Sequence, residues 1–379
     1  MKNSAAPVGC APIHVVHVVE SFAAGCLAAI ATLCHSAQEG LRHSIIHATR
    51  PETPKNFAEF FPGDVAFYSL PMARSISPVQ DWRAFMGLRT LLARLRPDVV
   101  HCHSSKAGFL GRWAARSLDM PSVYTPHGFA FLRTDVRPWQ RSCYKLAEWL
   151  AARAGNALVA CGREEYELAC RLAGKNCQLV CIPNAVNLQE MDALRQSMPV
   201  VQPPQALEHI RAGTCGRMEP QRNPRLFAEL ATALKDAASW TWIGAPSKTA
   251  ALPPHVKCSG WLSRSEALTR LAQLDIYVHT SLWDGLSYAV LEAMTFGKPV
   301  VATDIPANRA IVEHGVTGFL GASPQEMIAY VRLLAQDAAL RRKMGAAARR
   351  RVEEHHDAAR NYQAYVNLYR SLAQKRNKA

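Results

Sequence analysis

The chain has 379 residues, 49% of them hydrophobic, with 44 basic against 30 acidic side chains, a net charge of +14. Such a chain is long enough for two domains of roughly 100–200 residues each, and its apolar share excludes a disordered polyelectrolyte. The positive balance calls for an acidic partner, either phosphorylated ligands or an anionic membrane; no zinc-finger spacing or RNA-binding run of aromatics is present, so nucleic acid is not expected.

The N-terminal "MKNSAAPVGCAP" lacks an apolar signal region, so secretion is not expected. The longest apolar candidate, Phe22 to Cys34, includes Gly25 and falls short of the roughly 20 residues that span a bilayer. The 11 cysteines are scattered without a CxxC pair and read as reduced thiols.

Short Val/Ile-rich runs then alternate with longer amphipathic segments. Ile13–Val19, His43–Ala48, Asp98–His103, Ser122–Thr125, Ala157–Ala160 and Gln178–Ile182 read as strands. Between them lie helical patterns such as Trp82–Arg96. Ser197–Glu208 holds three prolines and little periodicity, and reads as a linker. The alternation then restarts, with strands at Arg211–Gly216, Trp240–Gly244, His255–Gly260, Asp275–Thr280 and Pro299–Asp304. A basic helical segment closes the chain. The pattern predicts an α/β protein of two Rossmann-like, doubly wound parallel-sheet domains, with ligands in a cleft at the strand carboxyl ends. The expected boundaries are 1–196 and 209–350 for the domains, 197–208 for the linker and 351–379 for a C-terminal helix packing back on the first domain.

Two segments of the second half carry chemistry. "SLWDGLSYAVLEAMTFGKPVVATD" puts Asp284 ahead of a helix that Ser287 caps and Gly297 ends, with Glu292 in its second turn. Both acids can face a cleft at a helix N-terminus, which attracts phosphate. "TCGRMEPQRNPRLF" ends a strand at Gly216-Arg217 and follows with Arg222, then Asn223 and Pro224 as helix cap and first residue. Two guanidinium groups beside a second helix start suit a diphosphate.

"GRMEPQRNP", "DGLSYAVLEAM" and "GKPVVATD" occur in that order, followed by "HGVTGFL" and preceded by "RPDVVHCHSSKAG", "YTPHGFAFL" and "CIPNAVN". This ordered set, spread over nearly the whole chain, resembles the retaining GT-B glycosyltransferases of family 4 (glycosyl transferases group 1). The resemblance implies a GT-B fold and an enzyme that moves a sugar from a nucleotide diphosphate sugar to an acceptor hydroxyl with retention. It implies donor binding by Gly216, Arg217, Arg222, Gly285, Leu286, Ser287 and Glu292. Arg217 and Arg222 hold the diphosphate, Glu292 the ribose and Asp284 the transferred sugar. His127 reaches across from the first domain. No metal or other cofactor is implied. The implied acceptor is a lipid-linked saccharide in bacterial surface polysaccharide assembly.

Three departures stand out. The usual first glutamate is Asp284, the usual lysine is Arg222, and the Gly-Gly of the first loop is reduced to Gly25 in "SFAAGC". Gly25 and His103 are weaker candidates for acceptor contact. His101 and His103 share a strand face, which could look like a metal site but reads as a strand end bordering the cleft. Arg83, Arg89, Arg94 and Arg96 lie among Trp82, Phe85 and leucines, and a second such mixture holds Trp139, Tyr144, Lys145 and Trp149. These suit either an interfacial membrane surface or a solvated basic helix face. The expected location is the cytoplasm, peripherally on the inner face of the cytoplasmic membrane. The alternatives are a GT-B sugar-nucleotide epimerase and an inactive nucleotide-sugar-binding subunit.

Overall fold

A computed structural model describes residues 12–36, 40–174, 177–198, 210–244 and 252–376. Most of the expected linker, from residue 199 on, lies outside the described residues, as does the N-terminal stretch read for a signal.

The first half runs β1 (Ile13–Val19), α1 (Ala24–Ser36), β2 (Leu41–His47), β3 (Ala66–Ser69), α2 (Pro78–Leu95), β4 (Val99–His103), α3 (Ser105–Arg116), β5 (Ser122–Thr125), α4 (Pro138–Ala151), β6 (Ala157–Ala160), α5 (Arg163–Leu172), β7 (Gln178–Cys181) and α6 (Leu188–Ser197). Its strands form one parallel sheet in the order β3-β2-β1-β4-β5-β6-β7. Val15, Val16, Val18 and Val19 are all fully buried, because helices cover both faces of the sheet.

The second half runs β8 (Ile210–Cys215), α7 (Pro224–Ala233), β9 (Ala238–Ile243), β10 (Val256–Cys258), α8 (Arg264–Ala272), β11 (Ile276–His279), α9 (Tyr288–Thr295), β12 (Val300–Thr303), α10 (Pro306–Ile311), β13 (Gly318–Gly321), α11 (Pro324–Gln336), α12 (Ala338–His355), α13 (Ala358–Asn361) and α14 (Gln363–Arg376). Its sheet, also parallel, has the order β10-β9-β8-β11-β12-β13. The strand order of each sheet reverses once, between β1 and β4 and between β8 and β11, and each switch point opens a crevice at the strand carboxyl ends.

Every strand expected from the sequence is present, with ends shifted by no more than about two residues. Two strands were not foreseen. β3 is a four-residue, half-buried edge strand, and β13 is a four-residue run bounded by glycines.

The two halves share a core around α9. All eight of its residues are buried, packed with Ala28 and Ala29 of α1, Cys161, Val186 and Met191. Asn184 donates from Nδ2 to the Leu286 carbonyl at 2.8 Å, and Arg349 of α12 forks onto Asp192 of α6 at 2.8 Å through each nitrogen.

The C-terminal segment differs from a single helix starting at 351. α12 runs through that boundary to His355, and the chain turns at buried His356, whose Nδ1 lies 2.9 Å from the Asn184 carbonyl. Asp357 then caps α13 by accepting from Ala359 N. α14 lays Tyr365, Val366, Tyr369 and Leu372 against the first sheet, which is the packing expected of it.

Candidate active site

The site begins where β8 ends. Gly216 has φ 138°, in the region that favours glycine, and a Cβ there would meet Arg222 Nε at 3.3 Å. A 3-10 turn, Pro220–Arg222, leads to Asn223, which adopts φ 49° and accepts from Leu226 N, with Pro224 opening α7. This is the cap and first residue read from the sequence. The turn folds Arg222 back under Gly216 instead of releasing it to solvent.

Arg222 Nη1 donates to Asp284 Oδ2 at 3.0 Å and lies within reach of the Ser281 and Ser287 hydroxyls at 3.2 and 3.4 Å. His279 Nε2 lies 3.4 Å from the same carboxylate oxygen. Asp284 Oδ1 accepts from Gly285 N at 3.0 Å and from Gln221 Nε2 at 3.3 Å. Burial opposes the charge of Asp284, but Arg222 and His279 outweigh it and hold the carboxyl below its ordinary range. His279 goes the other way: burial keeps it neutral more strongly than Asp284 favours its charge. The cluster is therefore one permanent cation, one carboxylate and one neutral ring at the switch point of the second sheet.

Ser287 stands at the N-cap of α9, as expected, but its side chain makes no cap hydrogen bond; the hydroxyl is turned toward Arg222. The first-turn N–H groups of α9 thus have no side-chain cap where the cleft opens. Glu292, one turn further, is buried and accepts from Arg264 Nη1 at 2.7 Å. Arg264 was not foreseen. It is the first residue of α8, behind a capping box of Ser263 and Glu266. The box is legible in "SRSE", but nothing local says that the arginine between its members reaches Glu292.

From the first domain, the His127-Gly128 turn meets the Asp284-Gly285 turn backbone to backbone. Both His127 and Gly128 have positive φ, 54° and 95°. A Cβ on Gly285 would fall 3.0 Å from the His127 carbonyl carbon and 3.1 Å from Gly128 N. Glu165 braces this turn: its carboxylate accepts from Gly128 N at 2.7 Å and from Cys161 N at 2.6 Å.

His127 lines the cleft from across the domain boundary, where the family resemblance puts it. Its ring nitrogens are engaged, Nε2 with His103 Nδ1 at 3.0 Å and Nδ1 with Cys161 Sγ at 3.8 Å. Burial lowers its pKa to about 4. His103 does not border the cleft: it is 2% exposed and lies behind His127. Its Nε2 lies 3.0 Å from His17 Nδ1, and His17 Nε2 lies 3.0 Å from His43 Nδ1. His101 bonds Tyr369 Oη at 2.7 Å and Thr125 Oγ1 at 2.8 Å. Potential ligand atoms of His17, His101 and His103 come within 4.8 Å of one another, as do those of His17, Cys34 and His43. Hydrogen bonds already occupy both nitrogens of His17, His101 and His103, so no metal is needed to explain these rings.

The cleft has a volume of about 700 Å³, within the usual range for a small-molecule site. Gly25, His127, Arg217, Arg222, Asp284 and Glu292 all line it, with Gly216 and the Gly285–Ser287 turn. Arg217 pairs with Glu219 at 2.9 Å. Gly25, expected in the loop after β1, is instead the second residue of α1, and nothing lies within 4 Å of a Cβ placed on it. Of the site residues expected from the sequence, His103 falls outside the cleft lining, and so does its strand neighbour His101, which is fully buried and does not border the cleft.

Comparison with known proteins agrees with this architecture. The family model for the glycosyl transferase 4-like domain matches residues 33–185, and that for glycosyl transferases group 1 matches residues 208–351. An Escherichia coli UDP-Gal:α-D-GlcNAc-diphosphoundecaprenol α-1,3-galactosyltransferase is 30% identical over 280 residues, covering 67% of this chain and 70% of its own. An uncharacterised 41.2 kDa protein from the cps region of Klebsiella pneumoniae is 24% identical, covering 81% of this chain and 86% of its own. Among solved structures, Anabaena Alr3699/HepE, crystallised with UDP and glucose, shares the fold with a TM-score of 0.72 at 17% identity, over 94% of this chain and 99% of its own.

Proposed function

The chain belongs to the GT-B glycosyltransferases of the group 1 type, and from that premise we propose that it transfers a sugar from a nucleotide diphosphate sugar to a hydroxyl of a lipid-linked saccharide, with retention, in bacterial surface polysaccharide assembly. The observation that carries this reading is the convergence of Arg217, Arg222, Asp284 and Glu292 on one cleft that His127 closes from the other domain. The E. coli relative, named for a diphosphoundecaprenol-linked acceptor, supports the acceptor class, and the Klebsiella relative supports the polysaccharide setting.

In this reading Arg217, Arg222 and the N-terminus of α9 meet the charge that grows on the leaving diphosphate. Glu292 takes the ribose hydroxyls. Asp284, oriented by Arg222 and Gly285 N, takes hydroxyls of the transferred sugar. The bond from the anomeric carbon to the phosphate oxygen breaks with its electron pair on the diphosphate, and the acceptor oxygen bonds the same face. The acceptor proton passes to a donor phosphate oxygen. His127 is neutral with both nitrogens engaged, so its part is to shape the sugar pocket, not to move a proton. Arginine and helix supply the positive charge, and no metal enters the scheme.

The enzyme works peripherally at the inner, cytoplasmic membrane face. No helix among the described residues is long and apolar enough to cross a membrane. α2 exposes Val79, Trp82 and Met86, and α4 exposes Trp139, Leu146, Trp149 and Leu150, beside the exposed arginines 83, 89 and 94. Apolar and basic groups on the same helices suit anionic lipid. A thermal-shift screen of UDP, GDP, ADP and their sugars, followed by NMR of the product's anomeric centre, tests the reading. Stabilisation by no nucleotide, or an inverted product, overturns it.

A further inference from the structure

A second cavity, about 330 Å³, adjoins the donor cleft and shares Arg217, Glu219 and Gln221 with it. Its first-domain wall is Arg74, Arg133 and Asp135, and Trp283 closes it from the second domain. Arg74 lies just ahead of α2 and Arg133 just ahead of α4, the two helices whose outer faces are apolar and exposed. The cavity therefore opens where the two helices with exposed apolar faces begin, next to the donor cleft.

Its charges are unevenly committed. Asp135 holds Arg133 in a two-pronged pair at 2.9 and 2.8 Å, which fixes the guanidinium plane. Glu219 accepts from Arg217 at 2.9 Å. Arg74, 58% exposed, reaches the same glutamate only at 3.9 Å, too far for a hydrogen bond. Three cations against two carboxylates, with the loosest cation beside a helix with an exposed apolar face, suit a phosphate at headgroup depth.

We propose that this cavity binds the phosphate or diphosphate that joins the acceptor sugar to its lipid, with Arg74 and Arg133 as its ligands. The inference rests on the lipid-linked acceptor reading and adds where the acceptor's charge is held. The acceptor sugar then extends past Gln221 and Glu219 into the donor cleft, while the lipid leaves along α2 and α4.

The test uses two acceptors with the same sugar, one an alkyl diphosphate glycoside and one a plain alkyl glycoside. Arg74→Ala and Arg133→Gln should each raise KM for the diphosphate acceptor about tenfold, the loss of a charge-assisted hydrogen bond. KM for the plain glycoside, KM for the donor and the melting temperature should stay at wild-type values. Unchanged KM on the diphosphate acceptor overturns the subsite while leaving the lipid-linked reading intact. A wild type that uses only the plain glycoside overturns that reading and the subsite with it. Flotation with anionic vesicles separates a headgroup role: variants that lose vesicle binding in step with KM assign the arginines to the membrane surface and overturn the subsite.

Discussion

His103 Nδ1 lies 3.0 Å from His127 Nε2, and this contact is the last link of a buried chain that runs from His43 through His17 to the cleft. Burial, reinforced by neighbouring histidines, keeps His17 and His103 well below their ordinary pKa. Each neutral ring carries one N–H, so the tautomers along the chain are linked, and the one at His127 depends on those behind it.

The chain makes the fold acid-sensitive. His17, His101, His103 and His127 stay neutral in the folded protein at pH values where the unfolded chain takes up protons near 6.5. Below that value the unfolded state binds more protons, so stability falls with falling pH, by up to roughly 1.4 kcal/mol per pH unit per ring. Urea midpoints taken from about pH 7 to about pH 5 should drop steadily. His17→Phe should flatten the slope; equal slopes in both proteins would remove the chain as its source.

Arg222→Ala should reduce turnover about 10²–10³-fold at saturating donor, on the scale of losing one oxyanion stabiliser. It should also lower stability, because Asp284, only 13% exposed, loses its cation. Arg217→Ala, at a side chain 26% exposed, should cost comparable turnover with little change in melting temperature. Turnover at wild-type level in both variants would take the arginines out of the site.

Glu292→Gln should weaken binding of the preferred nucleoside diphosphate about tenfold. Its carboxylate gives up charge-assisted acceptance, and the 2.7 Å contact from Arg264 loses its anionic acceptor. Calorimetry of both proteins with the same nucleotide decides this, and equal affinity would mean that Glu292 only anchors Arg264.

Vesicle binding should need anionic lipid and weaken as salt shortens the screening length to about 8 Å. Replacing Arg83, Arg89 and Arg94 by Gln should cost about 1 kcal/mol per charge. Trp82→Ser with Trp139→Ser, at side chains 63% and 60% exposed, should weaken binding at all salt concentrations. A wild type that ignores anionic vesicles at low salt would leave the exposed faces of α2 and α4 without this role.

Much of this protein is legible in one dimension. Short buried strands, helix caps such as Asn223-Pro224, the C-terminal Gly297 of α9 and the ordered arginines and acids of the second half depend on local propensity and spacing, which the sequence carries directly. The remainder depends on which distant segments meet. Arg264 finds Glu292 28 positions away, His103 turns its ring to His127 instead of to the cleft, and Arg74 joins Arg133 from another loop at the mouth of a second cavity. Such pairings leave no periodic mark, because they are set by the order of strands in the sheets and by the closure of two domains on each other. Burial then makes them binding: a ring or carboxylate removed from water must take a partner, and only the folded arrangement decides which one is in reach.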